Sequence, residues 1–156
     1  MDFKVKDLPE VAIIGKQGFC SEGNNIVKQI WEDANSHFGE VSSLALKESD
    51  GSLTGVWGAM SDQSMAFLPW TNNFSTGYYL AGVQVAPDAK APEGWTKWIL
   101  PPRKYLVVEV QMEEYAKTFS EVLNTILPQN KLKLCGAACD FTDPKSGKNK
   151  LFFPVQ

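Results

Sequence analysis

Gly77-Tyr78-Tyr79-Leu80-Ala81-Gly82-Val83-Gln84-Val85 decides how the rest of the chain is read. It is rich in aromatic and β-branched residues, carries no proline or charge, and follows a run of turn-forming residues, so it reads as a strand. Strand alternation sends Tyr78 and Tyr79 to opposite faces. Upstream, residues 61–76 hold Asp62, Pro69, Asn72 and Asn73 but also Met65, Phe67, Leu68, Trp70 and Phe74. A loop that apolar must pack on something or be covered by a partner. Before it, Asp50-Gly51 is a turn signal followed by an extended run from Leu53 to Met60, where Trp57 shares a face with Leu53 and Gly55 and Met60 faces the other way. Ile26, Val27, Ile30, Trp31, Ala34 and Phe38 recur at steps of three and four, an amphipathic helix with Ser21 as its expected N-cap and Gly39 as its stop. Residues 3–19 read as extended, with Pro9 at a bend or an edge. The order is strand, helix, strand, strand.

Downstream of Val85 the pattern returns. Residues 95–111 are extended and broken near Pro101-Pro102. Tyr115, Phe119, Val122, Leu123, Ile126 and Leu127 predict a second helix stopped by Pro128. Leu132–Phe141 and Leu151–Val155 predict two more strands, joined by a turn at Asp143-Pro144-Lys145-Ser146-Gly147. The fold class is therefore α+β, with two β-α-β-β units in a single domain over residues 1–156. The first unit covers about 1–86 and the second about 94–156. The symmetry is one of pattern, without a residue-level repeat.

Composition removes several classes of function. Fifteen basic against eighteen acidic residues give a net charge of −3, which does not supply the basic face that phosphate contacts need. No apolar run approaches the roughly 20 residues of a membrane-spanning helix, and the N-terminus lacks a signal-type stretch; a cytoplasmic domain is expected. The three cysteines, Cys20, Cys135 and Cys139, are odd in number. On one strand the last two would lie about 13 Å apart, too far to bridge, and small buried hydrophobes are the simpler reading. His37 is the single histidine, placed near a helix end, so neither a Ser-His-Asp triad nor a zinc site is announced. No phosphate-binding or dinucleotide-binding glycine loop is present. No cofactor, metal or catalytic residue is expected.

The strand at Gly77–Val85 resembles the aromatic-then-Gly-Val-x-Val strand of GyrI-like small-molecule-binding domains, the effector-binding domains of AraC- and MerR-type regulators. Ala91-Pro92-Glu93-Gly94-Trp95 and Leu100-Pro101-Pro102-Arg103-Lys104-Tyr105-Leu106-Val107-Val108 are similar to the family's next segment. Ile30-Trp31, Gly55-Val56-Trp57-Gly58 and Leu151-Phe152-Phe153-Pro154-Val155 fall where the family has comparable segments. The resemblance implies two pseudo-symmetric, SHS2-like β-α-β-β units with a ligand cleft between them. It implies a module that senses or sequesters hydrophobic, aromatic, often cationic molecules, with multidrug binding and transcription regulation as the setting. Some members hydrolyse strained toxins, and one inhibits gyrase as a protein partner. Two departures stand out. Ala137-Ala138-Cys139-Asp140-Phe141 replaces the family's Phe-Glu-x-Tyr setting, with Asp140 nearest the acidic place, and Lys150 stands where a glutamate often precedes the last apolar run.

Eighteen aromatic residues suit a pocket for planar ligands, since ring faces attract cations, although any one ring is by default a core residue. The candidate ligand-binding set is Trp31, Trp57, Met60, Trp70, Tyr79, Tyr105, Glu109, Asp140 and Phe152. Trp57, Trp70 and Tyr79 lead it, Trp70 as a lid ring on the long loop. Asp140 is the first candidate for the charge, ahead of Glu109 and Asp62. The expected partner is a small organic ligand, with a homodimer or a regulator chain as the protein partner and no direct contact to nucleic acid or membrane. A hydrolase using Asp140 and Tyr79, and a protein-interaction inhibitor, are the alternatives.

Overall fold

The computed structural model describes all 156 residues. Eight antiparallel strands form one sheet: β1 (Lys4–Leu8), β2 (Val11–Cys20), β3 (Val56–Ser61), β4 (Gly77–Val85), β5 (Thr96–Leu100), β6 (Arg103–Val110), β7 (Cys139–Thr142) and β8 (Asn149–Pro154). Their spatial order is β1-β6-β8-β7-β3-β4-β2-β5. Outward from the β7/β3 junction each half places the strands that follow its helix first and the strand that precedes it next. The outermost strand on each side, β1 or β5, comes from the other half of the chain.

That exchange forces the sheet to curl. β1 and β2 are joined only through Pro9 and Glu10, yet six strand spacings lie between them, about 29 Å in a flat sheet. A two-residue link spans at most about 10 Å. β5 and β6, joined by Pro101-Pro102, meet the same constraint. The sheet therefore wraps its two edges toward each other, and its inner face becomes a closed core of Val11, Ile13, Trp57, Ala59, Leu80, Trp98, Leu100, Tyr105, Val107, Cys139 and Phe152.

Each helix covers one half of the outer face. α1 (Val27–Ser36) sets Ile30 and Ala34 against Ile14, Tyr79, Ala81 and Val83 of β2 and β4. The second helix, over residues 115–129, packs Val122, Ile126 and Leu127 on Leu106, Val108, Leu151 and Phe153 of β6 and β8. Neither helix covers the central strands β3 and β7. The groove that results runs between the two helices over the central strands.

Local expectations fare unevenly. Ser21 does not cap α1; it pairs with Asn24 in an isolated bridge, and the Asn25 side chain accepts from Val27 N–H at 3.0 Å instead. Pro128 does not stop the second helix but sits in its last turn. There the missing N–H and the ring's demand on the preceding carbonyl are met by a π-helical stretch, Val122–Ile126. The run from 132 to 141 forms a strand only over Cys139–Thr142, with Leu134 making a lone bridge to Val155. The three cysteines are free thiols. No helix is long and apolar enough to cross a membrane.

Candidate ligand-binding site

Alternation along the central strands decides what the groove contains. On β3, Trp57 and Ala59 point into the curled core, leaving Gly58 and Met60 on the groove side; on β4 and β7 the groove receives Tyr79 and Asp140. The register pairs Gly58 with Asp140 and Met60 with Tyr79. Gly58 is required here. A Cβ at this position would lie 1.9 Å from the Tyr79 hydroxyl oxygen and 3.1 Å from Asp140 Oδ2, so only glycine lets these two groups meet over the strand.

They meet in a polar cluster. Tyr79 OH donates to Asp140 Oδ2 at 3.0 Å, and Tyr115 OH, from the second helix, donates to Asp140 Oδ1 at 2.9 Å. Trp31 Nε1–H, from α1, donates to the Tyr79 oxygen at 2.9 Å. The carboxylate is thus tied to both helices. No lysine, arginine or histidine forms an ion pair with it. Burial pushes the Asp140 carboxyl up to about 6, against the opposing pull of the hydrogen bonds from Tyr115 and Tyr79. Burial and the Asp140 charge push both tyrosines well above the ordinary phenol range, so they act as neutral donors.

Beside this cluster opens a cavity of about 590 Å³. Its walls are Val27 of α1 and Tyr115, Ala116, Phe119 and Leu123 of the second helix. Met60, Tyr79, Ala138 and Asp140 form the floor, and Pro69, Trp70, Asn73 and Phe74 come from the long loop. Thirteen of the nineteen lining residues are hydrophobic, so the Asp140 carboxyl group is set in largely apolar surroundings. At the mouth Phe74 meets Phe119 edge to face, with centroids 5.6 Å apart.

The loop is built rather than loose. Burial raises the Asp62 carboxyl, but the Ser64 hydroxyl and the backbone N–H groups of Leu68, Ser64 and Ala66 donate to it, outweigh that cost and hold it below the usual carboxylate range. Arg103 donates to the Phe67 carbonyl at 3.1 Å. Met65, Phe67, Asn72, Asn73 and Phe74 adopt left-handed backbone angles, and these contacts hold the strain at Met65 and Phe67. Trp70 is not the freely swinging lid that its loop position suggests. Its Nε1–H donates to the Tyr78 carbonyl at 2.9 Å, and its ring lies where a side chain on Gly77 would be, 2.2 Å from a Cβ placed there.

Of the nine residues proposed from sequence, Met60, Trp70, Tyr79 and Asp140 line this cavity, and Trp31 reaches the cluster through Tyr79. Trp57, Tyr105 and Phe152 do not. They pack together on the inner face, Phe152 with its centroid 5.1 Å from Trp57 and 5.7 Å from Tyr105, and Trp57 Nε1–H is used by Gln84 Oε1 at 3.0 Å. Glu109 is corrected as well: it faces solvent and lies 3.6 Å from Lys148. Gly58, Tyr115 and Phe119 complete the site without having been singled out from sequence. Tyr115 and Phe119 read as ordinary members of a helical apolar stripe, which is where their signal was hidden.

Solved structures share this architecture throughout. SAV2435, in a structure bound to tetraphenylphosphonium, matches with a TM-score of 0.70 at 16% identity, over 100% of this chain and 94% of that one. The EcmrR C-terminal domain matches with a TM-score of 0.64 at 11% identity, over 99% of this chain and 97% of its own. The chain has the GyrI-like fold. A putative transcription regulation protein from Staphylococcus aureus MU50 shares this GyrI-like fold, with a TM-score of 0.62 at 18% identity over 100% and 99% of the two chains. No family model matches the chain, and no curated protein sequence does.

Proposed function

We propose that this GyrI-like domain binds a small, largely apolar organic cation in the cavity between its two helices, with Asp140 as the counter-charge. One observation carries the reading. A carboxylate raised by burial and held by two tyrosine hydroxyls stands at the edge of an apolar cavity without a cationic side chain to neutralise it. A buried charge is costly unless it is paired, and a ligand cation supplies the pair. The surrounding aromatic rings favour the same kind of guest through their faces. The tetraphenylphosphonium carried by the similar SAV2435 structure has this chemistry. In such a role the domain sequesters its ligand or signals its presence to a regulator chain.

The test is a tryptophan-fluorescence titration, because Trp70 lines the cavity and Trp31 is bonded to Tyr79. Tetraphenylphosphonium should quench saturably. Triphenylphosphine oxide, aromatic but neutral, should bind at least about tenfold more weakly. Equal affinity for the two would remove Asp140 as the counter-charge, and no saturation by either would remove the cavity as a site. Mass spectrometry of the recovered ligand separates binding from turnover: an intact mass belongs to a binding module, a cleaved one to a hydrolase.

A further inference from the structure

A second, smaller cavity of about 110 Å³ lies on the far side of Asp140. It shares Tyr79, Met112 and Asp140 with the large cavity, so the two compartments meet at the carboxylate. Its lining differs in kind. Asn149 of β8 and Thr142 of β7 stand opposite each other in register, and Thr142 Oγ1–H donates to Asn149 Oδ1 at 2.9 Å. Alternation puts Asn149 on the same face as Leu151, which is paired with Asp140. The Asn149 amide nitrogen has no acceptor within the chain. Every buried side-chain nitrogen or oxygen does have a partner, so this nitrogen faces open volume. Around Asp140 the ring donors are committed, Trp31 to Tyr79 and both tyrosines to Asp140, while Lys150 of β8 also lines this compartment.

We propose that the ligand continues past the cationic centre into this compartment, where Asn149, oriented by Thr142, donates a hydrogen bond to an acceptor on a short tail. The inference rests on the cation-binding reading and adds the ligand's second half. The guest is then a two-ended amphiphile: an apolar, aromatic part in the large cavity, a positive charge at Asp140, and an ether, ester or similar acceptor beyond it. The smaller volume corresponds to about four water-sized groups, so the tail is short. Met112, exposed and at the junction, has the unbranched side chain that can move aside for such a tail.

Two phosphonium salts isolate the effect. Butyltriphenylphosphonium and (2-methoxyethyl)triphenylphosphonium have the same charge, head and tail length, and differ by one ether oxygen in place of a methylene. The affinity ratio of the ether to the butyl salt should fall about five- to tenfold on going from the native chain to Asn149→Leu. Methyltriphenylphosphonium, too short to leave the large cavity, should bind both proteins equally. Thr142→Val, which releases the Asn149 side chain, should move the ratio in the same direction and serves if Asn149→Leu does not fold. An unchanged ratio in a folded variant overturns the tail compartment while leaving cation binding intact. Failure of all three salts to bind the native chain overturns the cation reading, and the tail compartment with it.

Discussion

The two faces of the curled sheet are both rich in aromatic residues and do opposite things with them. On the inner face Trp57, Phe141, Phe152 and Tyr105 stack edge to face, and the indole N–H groups of Trp57 and Trp98 are satisfied by Gln84 and Gln17. No indole donor there is left over for a guest. On the outer face the polar ends of Trp31, Tyr79 and Tyr115 converge directly or through one another on a single carboxylate beside an open volume. Aromatic content therefore does not mark the site. An acidic group without a counter-charge at the edge of an open apolar volume does.

The contrast can be broken most forcefully from the inner side. Trp57→Ala should cost about 3–5 kcal/mol of unfolding free energy, because a ring only 3% exposed leaves a cavity that its neighbours cannot fill. At a temperature where the variant is folded, its affinity for tetraphenylphosphonium should stay within about threefold of the native chain. Chemical denaturation and fluorescence titration on one preparation check both halves, and a collapse of affinity at unchanged fold would erase the division between the faces.

Asp140→Asn should behave in the reverse sense. The native carboxyl, raised from 3.8 to about 6, holds its proton more tightly than the unfolded chain does. Its contribution to stability is present below pH 3.8 and is lost as pH rises through about 6, roughly 3 kcal/mol in all. The amide variant lacks this loss and should be the more stable protein at pH 7, with a flatter stability profile between pH 4 and 7. Melting temperatures across that range test it; a native profile that rises with pH there would show that the carboxylate is not the strained group. Cation affinity has the opposite dependence, falling about tenfold from its plateau by pH 5 as the carboxyl takes up a proton.

A smaller effect sharpens the geometry. Gly58→Ala should destabilise by about 1–3 kcal/mol and weaken cation binding, because the added Cβ displaces the Tyr79 hydroxyl from Asp140. Near-native affinity in that variant would show that the Tyr79 bond is dispensable. Glu109→Gln, at the exposed pair with Lys148, should change stability by less than about 0.5 kcal/mol and leave binding alone.

These sites also show where sequence reasoning reached and where it stopped. α1 was legible because six apolar residues repeat at helical spacing. Tyr79 was separable from Tyr78 by alternation within one strand. Alternation also splits Trp57 from Met60, but it does not say which side of β3 the helices leave open. That depends on the curl imposed by the exchanged strands β1 and β5, a property of the whole topology. Trp57, a leading ligand candidate by sequence, therefore belongs to the inner core. The need for Gly58 arises from a tyrosine on the neighbouring strand, 21 positions away, and no local pattern carries it. Tyr115 looks like any helical apolar residue until Asp140 is found opposite its hydroxyl.

The central claim is that Asp140 is the counter-charge for a cation held in the outer-face cavity. Calorimetric titration of tetraphenylphosphonium into the native chain and into Asp140→Asn at pH 7.5 tests it most directly. The account predicts saturable binding to the native chain and a loss of at least about 30-fold in the variant, with the variant's melting temperature unchanged or raised. Equal affinity for both proteins would contradict it.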